Sequence, residues 1–301
     1  MTAASRSSES SFQAPVIPAK VDYSSEDDLI KLFTGQDAVI EAFNPIGASL
    51  QPTIVDAALK AGVKHIITPD FAGDTFNPHV PELLIYQTKV AAQKRLEERV
   101  AGTELKWTAI ITGAWFDWGT ATLDLFSSFS RHGFSANCLS AIPRGYFWVN
   151  PKKKTVVIYG SGNQRYSMCH IPTAAKAVVD VLSDPVKFAN RPIYVADHTV
   201  STNQLIPILE EISPGWDVQH VDVDDFFAAG KRTWDEDTKA GVKVRLASEA
   251  YAMLGTYGIF EENNRYGADF EDMIEPGYGY KRDRGQLKED LRELVSASST
   301  T

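Results

Sequence analysis

The sequence is poor in cysteine, has no long apolar run and carries no excess of positive charge. Its two cysteines, Cys138 and Cys169, are too few for a disulfide framework and favour free thiols in a reducing compartment. No apolar run reaches the roughly 18 residues that a membrane-spanning helix needs. The formal net charge is −9, and the lysines at 152–154 are predicted to lie in a solvated turn. We therefore expect a cytoplasmic protein that binds neither nucleic acid nor a membrane.

The sequence also lacks the residue spacings of known metal sites and of hydrolases. The histidines are scattered over the chain: His65, His79, His132, His170, His198 and His220. None has another ligand residue at the spacing of a zinc site, so the sequence predicts no metal site. Asp222, Asp224 and Asp225 lack the glycine and closing glutamate of a calcium loop, and we predict that they begin a helix. Ser161 is not in a G-x-S-x-G elbow, so hydrolase chemistry has no support.

The first third of the chain alternates predicted strands and helices. Apolar, β-branched runs predict strands at residues 16–21, 37–43 and 64–68. Between them, a helix begins at the S-x-x-D pattern of Ser25 and ends at Gly35, and a second helix spans residues 50–61. Strands that alternate with helices through short links are typical of a parallel sheet covered by helices on both faces.

The stretch at residues 83–119 is predicted to contain a helix that leads directly into a buried strand. Leu84, Val90, Leu96 and Val100 recur at roughly helical spacing, and the strand follows at residues 107–111. Lys89 lies in the helix just ahead of that strand. A lysine near the carboxyl ends of parallel strands is well placed to act on a bound ligand. A solvated helix lysine is the competing interpretation of Lys89.

The second half of the chain has a less regular pattern. Residues 155–171 are predicted to form two strands of a hairpin around a turn with Gly160 and Gly162. The remaining predicted helices are at 122–129, 172–182, 201–212, 235–254 and 286–295, and the remaining strands are at 192–196 and 218–223.

One element of a dinucleotide-binding fold is absent from this α/β pattern. Such a fold opens with a strand, a glycine-rich turn and a helix whose N-terminus binds the pyrophosphate. The first glycine of the chain is Gly35, and no G-x-G-x-x-G precedes a helix before it. Loss of this usually central strand would cost on the order of 1–3 kcal/mol for each buried backbone group left unpaired. Either the N-terminus is shortened relative to a parent protein, or another segment covers the gap.

The order of several segments resembles one family. The resemblance is carried by VDYSSEDDLIKLFTGQDAVIEAF, IVDAALKAGVKHIITPDFAGD, the K-x-x-x-x-x-x-L-E pattern from Lys89, and WTAIITGAWFDWG. It continues in TVVIYGSGNQRYSMCHIPTAAKAVVDVLSDP and RPIYVADHTVSTNQLIPILEEI. Together these segments resemble the NmrA-like / isoflavone reductase-like family of atypical short-chain dehydrogenase/reductases, with a fungal character.

The resemblance implies a domain organisation. Residues 2–225 would form an NmrA-like NAD(P)-binding domain, and residues 226–301 would form the C-terminal helical part of a substrate lobe. The expected fold is α/β, with a doubly wound, Rossmann-type parallel sheet that lacks its first strand-turn-helix and a smaller C-terminal substrate lobe. On this alignment the missing unit would lie upstream of Met1.

The resemblance also implies a cofactor, usually NADPH, and the residues that bind it. Arg6 and Ser7 match the position that binds the adenosine 2′-phosphate, and arginine suits a dianionic group. Ala42, Phe43 and Asn44 match the segment that lines the ribose and nicotinamide side. NADP binding is expected to be weakened or lost if the glycine-rich turn is absent.

Further site residues follow from the same alignment. Asp70 and Phe71 resemble the family's S-E-F-G turn, with aspartate in place of glutamate. Lys89 matches the lysine that acts as a general acid or anchors the nicotinamide ribose. A partly buried lysine beside a cofactor has a lowered pKa and exchanges a proton near neutral pH. An aromatic group lining the substrate pocket is expected to comprise Trp115, Phe116 and Trp118.

The resemblance favours one function and leaves two alternatives open. The favoured function is an NADPH-linked reductase of a small aromatic or secondary-metabolite-like substrate, in which Lys89 handles the proton. Tyr86 precedes Lys89 by three residues rather than four, so tyrosine-based alcohol oxidation is not supported. The alternatives are a non-catalytic, dinucleotide-sensing regulator with a protein partner, and an inactive truncated product.

Overall fold

The computed structural model describes residues 1–6, 12, 15–43, 45–116, 148–243, 245–246, 248–279 and 283–299. The chain divides into two compact units, each built from three segments. Unit 1 contains Met1–Pro69, Thr88–Ala109 and Val178–Pro192, and unit 2 contains Asp70–Gln87, Ile110–Ala177 and Ile193–Thr301. Parallel strands and α-helices make up the architecture, and the predicted α/β class is confirmed.

The strands that lie wholly or partly in unit 1 form two sets. Strands β1 (Thr2–Ser5) and β2 (Ile17–Lys20) pair with each other. Strands β3 (Ala38–Ile40), β4 (His65–Ile67) and β5 (Lys106–Ile111) run parallel, and β10 (Arg191–Tyr194) extends the order to β10-β5-β4-β3. Among the described residues the two sets are not joined into one sheet. The predicted strands are confirmed, with shorter bounds.

The helices of unit 1 begin and end at recognisable capping residues. Helix α1 (Glu26–Phe33) begins after Ser25, whose hydroxyl accepts a hydrogen bond from the Asp28 amide. Helix α2 (Gln51–Ala61) ends at a left-handed glycine and buries its apolar face. Helix α3 (Gln87–Val100) begins four residues later than the helical pattern that starts at residue 83. Leu83 is extended and Leu84–Tyr86 form a 3₁₀ turn, which delays the α-helix.

Unit 2 contains two three-stranded sheets. One has the order β11-β9-β6, and the other has the order β12-β8-β7. The strands are β6 (Ala114–Trp115), β7 (Val149–Asn150), β8 (Thr155–Tyr159), β9 (Arg165–Cys169), β11 (His198–Ser201) and β12 (Asp217–Val221). The predicted hairpin is wrong, because β8 pairs with β12 and β7 whereas β9 pairs with β11 and β6. The turn between them redirects the chain from one sheet to the other instead of closing a hairpin.

The later helices correct one further prediction. They are α4 (Ile171–Ser183), α5 (Thr202–Ile212), α6 (Val223–Lys239), α7 (Glu249–Phe260) and α8 (Arg284–Ser299). A single helix over residues 235–254 is wrong, because α6 ends before Gly241, which has a φ of +71°. Ser248 then caps α7 by accepting a hydrogen bond from the Tyr251 amide. The helix predicted at residues 122–129 lies outside the described residues.

Aromatic side chains form the core of unit 2. The rings of Tyr159 and Phe260 stack at 5.1 Å, and Trp148 and Tyr166 each meet the Phe260 ring edge to face. All four side chains are buried. In the part of the chain that the structure describes, no helix combines the length and apolar character needed to cross a membrane.

Candidate functional site

Lys89 is the predicted catalytic residue, and its side chain is buried in unit 1. The residue is 8% exposed, and its Nζ donates a hydrogen bond to the carbonyl oxygen of Pro69 at 2.6 Å. Pro69 follows the last residue of β4 by two positions, so the ammonium lies at the carboxyl end of a parallel strand. A buried ammonium requires such acceptors, because burial removes the water that would solvate its charge. The solvated-lysine alternative is therefore wrong.

The predicted cofactor-binding residues of unit 1 also follow parallel strands. Arg6 comes directly after β1 and is exposed. Ala42 is exposed and Phe43 is half-buried, two and three residues after the end of β3. Ser7 and Asn44 lie outside the described residues. Ligands of α/β folds bind at the carboxyl ends of the strands, and Arg6, Phe43 and Lys89 are each at such an end.

The turn after β4 has a constrained backbone. Asp70 is buried and accepts a hydrogen bond from the hydroxyl of Thr75 at 2.5 Å. Phe71 has a φ of +31°, in the left-handed region that residues with a side chain rarely adopt. Such a conformation costs on the order of 1–3 kcal/mol and often accompanies a functional turn. The buried Asp70–Thr75 hydrogen bond stabilises the turn in this conformation.

Unit 2 contains a partly open cavity of about 130 Å³ that begins at this turn. Small, apolar and tyrosine residues line it: Ala72, Gly73, Asp74, Val80, Leu83, Tyr86, Gly113, Ala114, Tyr166, Ser167, Gly255, Gly258, Ile259, Tyr266, Gly267 and Ala268. Gly73 brings the chain close to Tyr86, since a Cβ atom there would lie 3.0 Å from the Tyr86 hydroxyl oxygen. The absence of large side chains at the glycine and alanine positions leaves the space open.

Burial raises the pKa values of several ionisable side chains around the cavity. Burial raises the pKa of Asp74, although the Phe76 amide and the Tyr194 hydroxyl both donate hydrogen bonds to its carboxylate. Burial also raises the pKa of Tyr86 to about 12, and it raises the pKa of Tyr166 as well. Both tyrosines are therefore neutral phenols at physiological pH. Neither adds negative charge to the cavity, and the Tyr166 hydroxyl lies 3.3 Å from the Thr202 hydroxyl, within hydrogen-bond distance.

Of the three predicted aromatic substrate residues, the described Trp115 and Phe116 are not among those that line this cavity. Trp115 is half-buried on β6, and Phe116 is buried with its ring 4.5 Å from the ring of His170. Trp118 lies outside the described residues. Sequence reasoning did not single out Tyr166, Tyr266 or Asp74, which the fold brings together from distant positions. Their signal in the sequence is only the proximity of Asp74 to the family-like turn at Asp70.

The chain belongs to the NmrA-like family. Residues 3–224, well over half of the chain, match the model of that family. The resemblance described from the sequence is thereby confirmed.

Two fungal proteins are similar in sequence. The oxidoreductase aprR of Aspergillus flavus is 28% identical over 223 residues, which cover 73% of this chain and 67% of that protein. The oxidoreductase poxI of Penicillium oxalicum is 25% identical over 247 residues, which cover 81% of this chain and 72% of that protein. Both of these proteins are named oxidoreductases.

Solved structures of plant reductases share the fold. A ternary complex of leucoanthocyanidin reductase from Vitis vinifera aligns with a TM-score of 0.68 and 16% identity, and covers 98% of this chain and 90% of that one. The complex of the same reductase with NADPH gives a TM-score of 0.65 at 16% identity, and the alignment covers 94% of this chain and 86% of the reductase chain. An isoflavone reductase gives a TM-score of 0.60 at 16% identity, and the alignment covers 97% of this chain and 90% of that chain. At this identity the likeness shows the Rossmann-type fold.

Proposed function

We propose that the protein is an NADPH-dependent reductase of a small aromatic substrate and that Lys89 handles the proton of the reaction. The observation that carries the proposal is the buried ammonium of Lys89 on the Pro69 carbonyl, at the carboxyl end of β4. A cation held at this end of a parallel sheet suits a bound dinucleotide and a developing oxyanion on the substrate. The fungal oxidoreductases and the NADPH-bound plant reductase support the same reaction class.

The residues present fit part of the cofactor. The exposed guanidinium of Arg6 after β1 suits the adenosine 2′-phosphate, which it can bind through two hydrogen bonds. Ala42 and Phe43 follow β3 and would border the ribose and nicotinamide side. No glycine precedes Gly35, so no glycine-rich turn is available in this chain for the pyrophosphate.

The nicotinamide, when bound, supplies a hydride to an electrophilic C=O or C=C bond of the substrate. Lys89 then donates a proton from Nζ to the atom that becomes electron-rich, and it stabilises that atom before transfer. The hydrogen bond to Pro69 fixes the position of Nζ, so little reorganisation is needed during the reaction.

Considered by itself, the unit 2 cavity suits a small aromatic ligand. Its volume of about 130 Å³ is close to that of apolar protein cavities of about 150 Å³ that bind benzene. Tyr86 and Tyr166 line it as neutral phenols, so they add no negative charge. A single substituted ring therefore fits better than a large charged metabolite.

The first prediction concerns the substitution Lys89→Met, which preserves the length of the side chain but removes the ammonium. We expect kcat for NADPH-dependent reduction of small aromatic ketones or enones to fall by about 10²- to 10⁴-fold, as for loss of a general acid. The KM for NADPH should change much less. Steady-state kinetics at saturating NADPH, with a melting curve for each variant, provides the measurement.

The control for this experiment is Lys94→Met, at an exposed position of the same helix, which should retain full activity. Equal turnover by wild type and Lys89→Met would exclude a proton-transfer role for Lys89. Saturable NADPH fluorescence without turnover of any substrate would favour the dinucleotide-sensing regulator. Absence of a saturable NADPH signal would contradict both the reductase and the regulator.

A further inference from the structure

Three potential metal ligands converge in unit 2. The Nε2 atoms of His170 and His198 both meet the same carboxylate oxygen of Asp290, at 3.1 and 2.6 Å respectively. The ligand atoms of all three side chains lie within 4.8 Å of one another. His170 follows β9, His198 begins β11 and Asp290 lies on α8, so three separate elements contribute.

This His-His-Asp cluster is enclosed and oriented by its neighbours. The side chain of His198 is 4% exposed, that of Asp290 is 12% exposed and that of His170 is 20% exposed. The ring of Phe116 contacts both imidazoles, with centroid distances of 4.5 and 5.5 Å. Gln286 donates a hydrogen bond to the second carboxylate oxygen of Asp290 at 2.8 Å. Outer hydrogen bonds and apolar walls of this kind orient ligands in metal sites.

The donor atoms and their spacing suit a first-row divalent metal. Zinc binds imidazole nitrogen and carboxylate oxygen at about 2.0–2.2 Å, which places neighbouring ligand atoms about 3.4 Å apart in a tetrahedron. The His170–Asp290 distance is near that value, and the His198–Asp290 distance must widen slightly when an ion replaces the hydrogen bonds. Two imidazoles and one carboxylate also match metal sites that retain an open position for water.

We propose that His170, His198 and Asp290 bind one divalent transition-metal ion of the Zn²⁺ type and thereby attach α8 to β9 and β11. Metal binding requires both imidazoles to carry their proton on Nδ1 and to present Nε2 to the ion. The partial exposure of His170 gives the ion a route from solvent and leaves room for a water ligand. The proposal is independent of the reductase activity proposed above.

The separation of the ligands in the sequence explains why spacing alone predicted no metal site. Asp290 lies 120 residues after His170 and 92 residues after His198. Recognised zinc motifs place at least two ligands within a few residues of each other. Here each ligand comes from a different element, so only the tertiary structure brings them together.

Titration of the untagged, chelator-treated full chain with Co²⁺ and Zn²⁺ tests the proposal. Calorimetry should show one saturable Zn²⁺ site per chain, and Co²⁺ should give visible d–d absorption that Zn²⁺ abolishes. Long-range ¹H–¹⁵N NMR should show the Nε2 resonances of two histidines moving together on Zn²⁺ addition. The melting temperature should rise with Zn²⁺, because the ion binds only the folded state.

Substitutions distinguish the cluster from adventitious surface binding. Asp290→Asn and His170→Gln should each weaken Zn²⁺ binding by at least about tenfold, the usual cost of losing a ligand or its support. His79→Gln is the matched control, because His79 and Glu82 form an exposed histidine–carboxylate pair, and it should leave binding unchanged. His170 is the most exposed of the three ligands, so its substitution should disturb folding least. If Asp290→Asn does not fold, Zn²⁺ binding by His170→Gln tests the proposal. No 1:1 binding by wild type, or unchanged binding in both cluster variants, would overturn the proposal.

Discussion

Gly113 occupies a position at the cavity where the backbone leaves no space for a side chain. Its φ is +64°, and a Cβ atom would lie 2.2 Å from the carbonyl oxygen of Ser167. We expect Gly113→Ala to lower the free energy of unfolding by about 2–4 kcal/mol, because left-handed strain is added to a displaced backbone. Gly215→Ala is the control, since Gly215 has a φ of +93° but no heavy atom within 4 Å. It should cost only about 1–2 kcal/mol of conformational strain.

Urea unfolding of both glycine variants separates the two contributions. The difference between them reports the steric contacts of the added methyl group with Ser167 and Phe270, because both glycines share the left-handed conformation. Equal losses in the two variants would show that the backbone at Ser167 moves freely to accommodate the added methyl group.

Individual residues differ in how well the sequence predicts their positions. The helix that carries Lys89 and the strand that follows it were predictable from local patterns, but those patterns left open whether its side chain is buried or solvated. The cavity was not predictable, because Tyr86, Tyr166 and Tyr266 are remote in sequence and tyrosine is common in cores. The His-His-Asp cluster was hidden for the same reason. Local patterns report the element that carries a residue and contain little information about distant neighbours.

Helix α6 begins at the aspartate cluster that the sequence identified as a helix start. The Asp222 carboxylate accepts hydrogen bonds from the amides of Asp224 and Asp225, at 3.0 and 2.9 Å. Asp222→Ala should lower the free energy of unfolding by about 1 kcal/mol, the usual cost of a lost N-cap. Asp222→Asn retains the acceptor and should lose only a few tenths of a kcal/mol. Chemical denaturation of the two variants is the measurement, with Asp235→Ala in the helix interior as the control.

The relative stabilities of the two Asp222 variants show whether hydrogen bonding or charge stabilises the start of α6. If Asp222→Asn were as destabilising as Asp222→Ala, the charge of Asp222 rather than its hydrogen bonds would stabilise the helix start. Unchanged stability in Asp222→Ala would show that the first turn of α6 contributes little to the cooperative unfolding of unit 2.

Element types were more predictable than element partners. Strands β8 and β9 were both located from their apolar runs, yet the short link between them wrongly predicted a hairpin. Each strand instead pairs with one earlier and one later strand, and the apolar runs do not encode which strands those are. The break between α6 and α7 was also missed, because the pattern gave too little weight to Gly241 and Ser248 as a stop and a start.

At the scale of the whole molecule, long-range ion pairs connect segments that the sequence places far apart. Arg265 donates two hydrogen bonds to Glu82, at 2.6 and 2.8 Å, across 183 residues of sequence within unit 2. Both side chains are partly exposed, so the pair is screened by solvent and salt. Its two-point geometry is nonetheless the most favourable arrangement for an arginine and a carboxylate. The pair therefore links the 3₁₀ turns ahead of α3 to the segment after α7.

Because of this ion pair, the free energy of unfolding is expected to depend on pH in the acidic range. The hydrogen bonds from Arg265, followed by that from His79, lower the pKa of Glu82 from 4.5 to about 2. A carboxyl group with a depressed folded-state pKa stabilises the protein above its unfolded pKa, and this stabilisation is lost as pH falls through the folded value. We expect the difference in stability between wild type and Glu82→Gln to be constant at neutral pH and to shrink between pH 4.5 and about 2.

A double-mutant cycle with Arg265→Gln attributes the effect to the pair. Either single substitution should remove the same pH-dependent part of the stability, and the double substitution should remove no more than that. Urea unfolding is followed by fluorescence at several pH values and at two salt concentrations. It gives the coupling free energy between Glu82 and Arg265 and shows how far salt weakens it. A coupling that persists unchanged at pH 2 would show that the carboxylate of Glu82 is not the group that titrates. In that case the link between the two segments would depend on packing around Tyr266, whose hydroxyl also approaches Glu82.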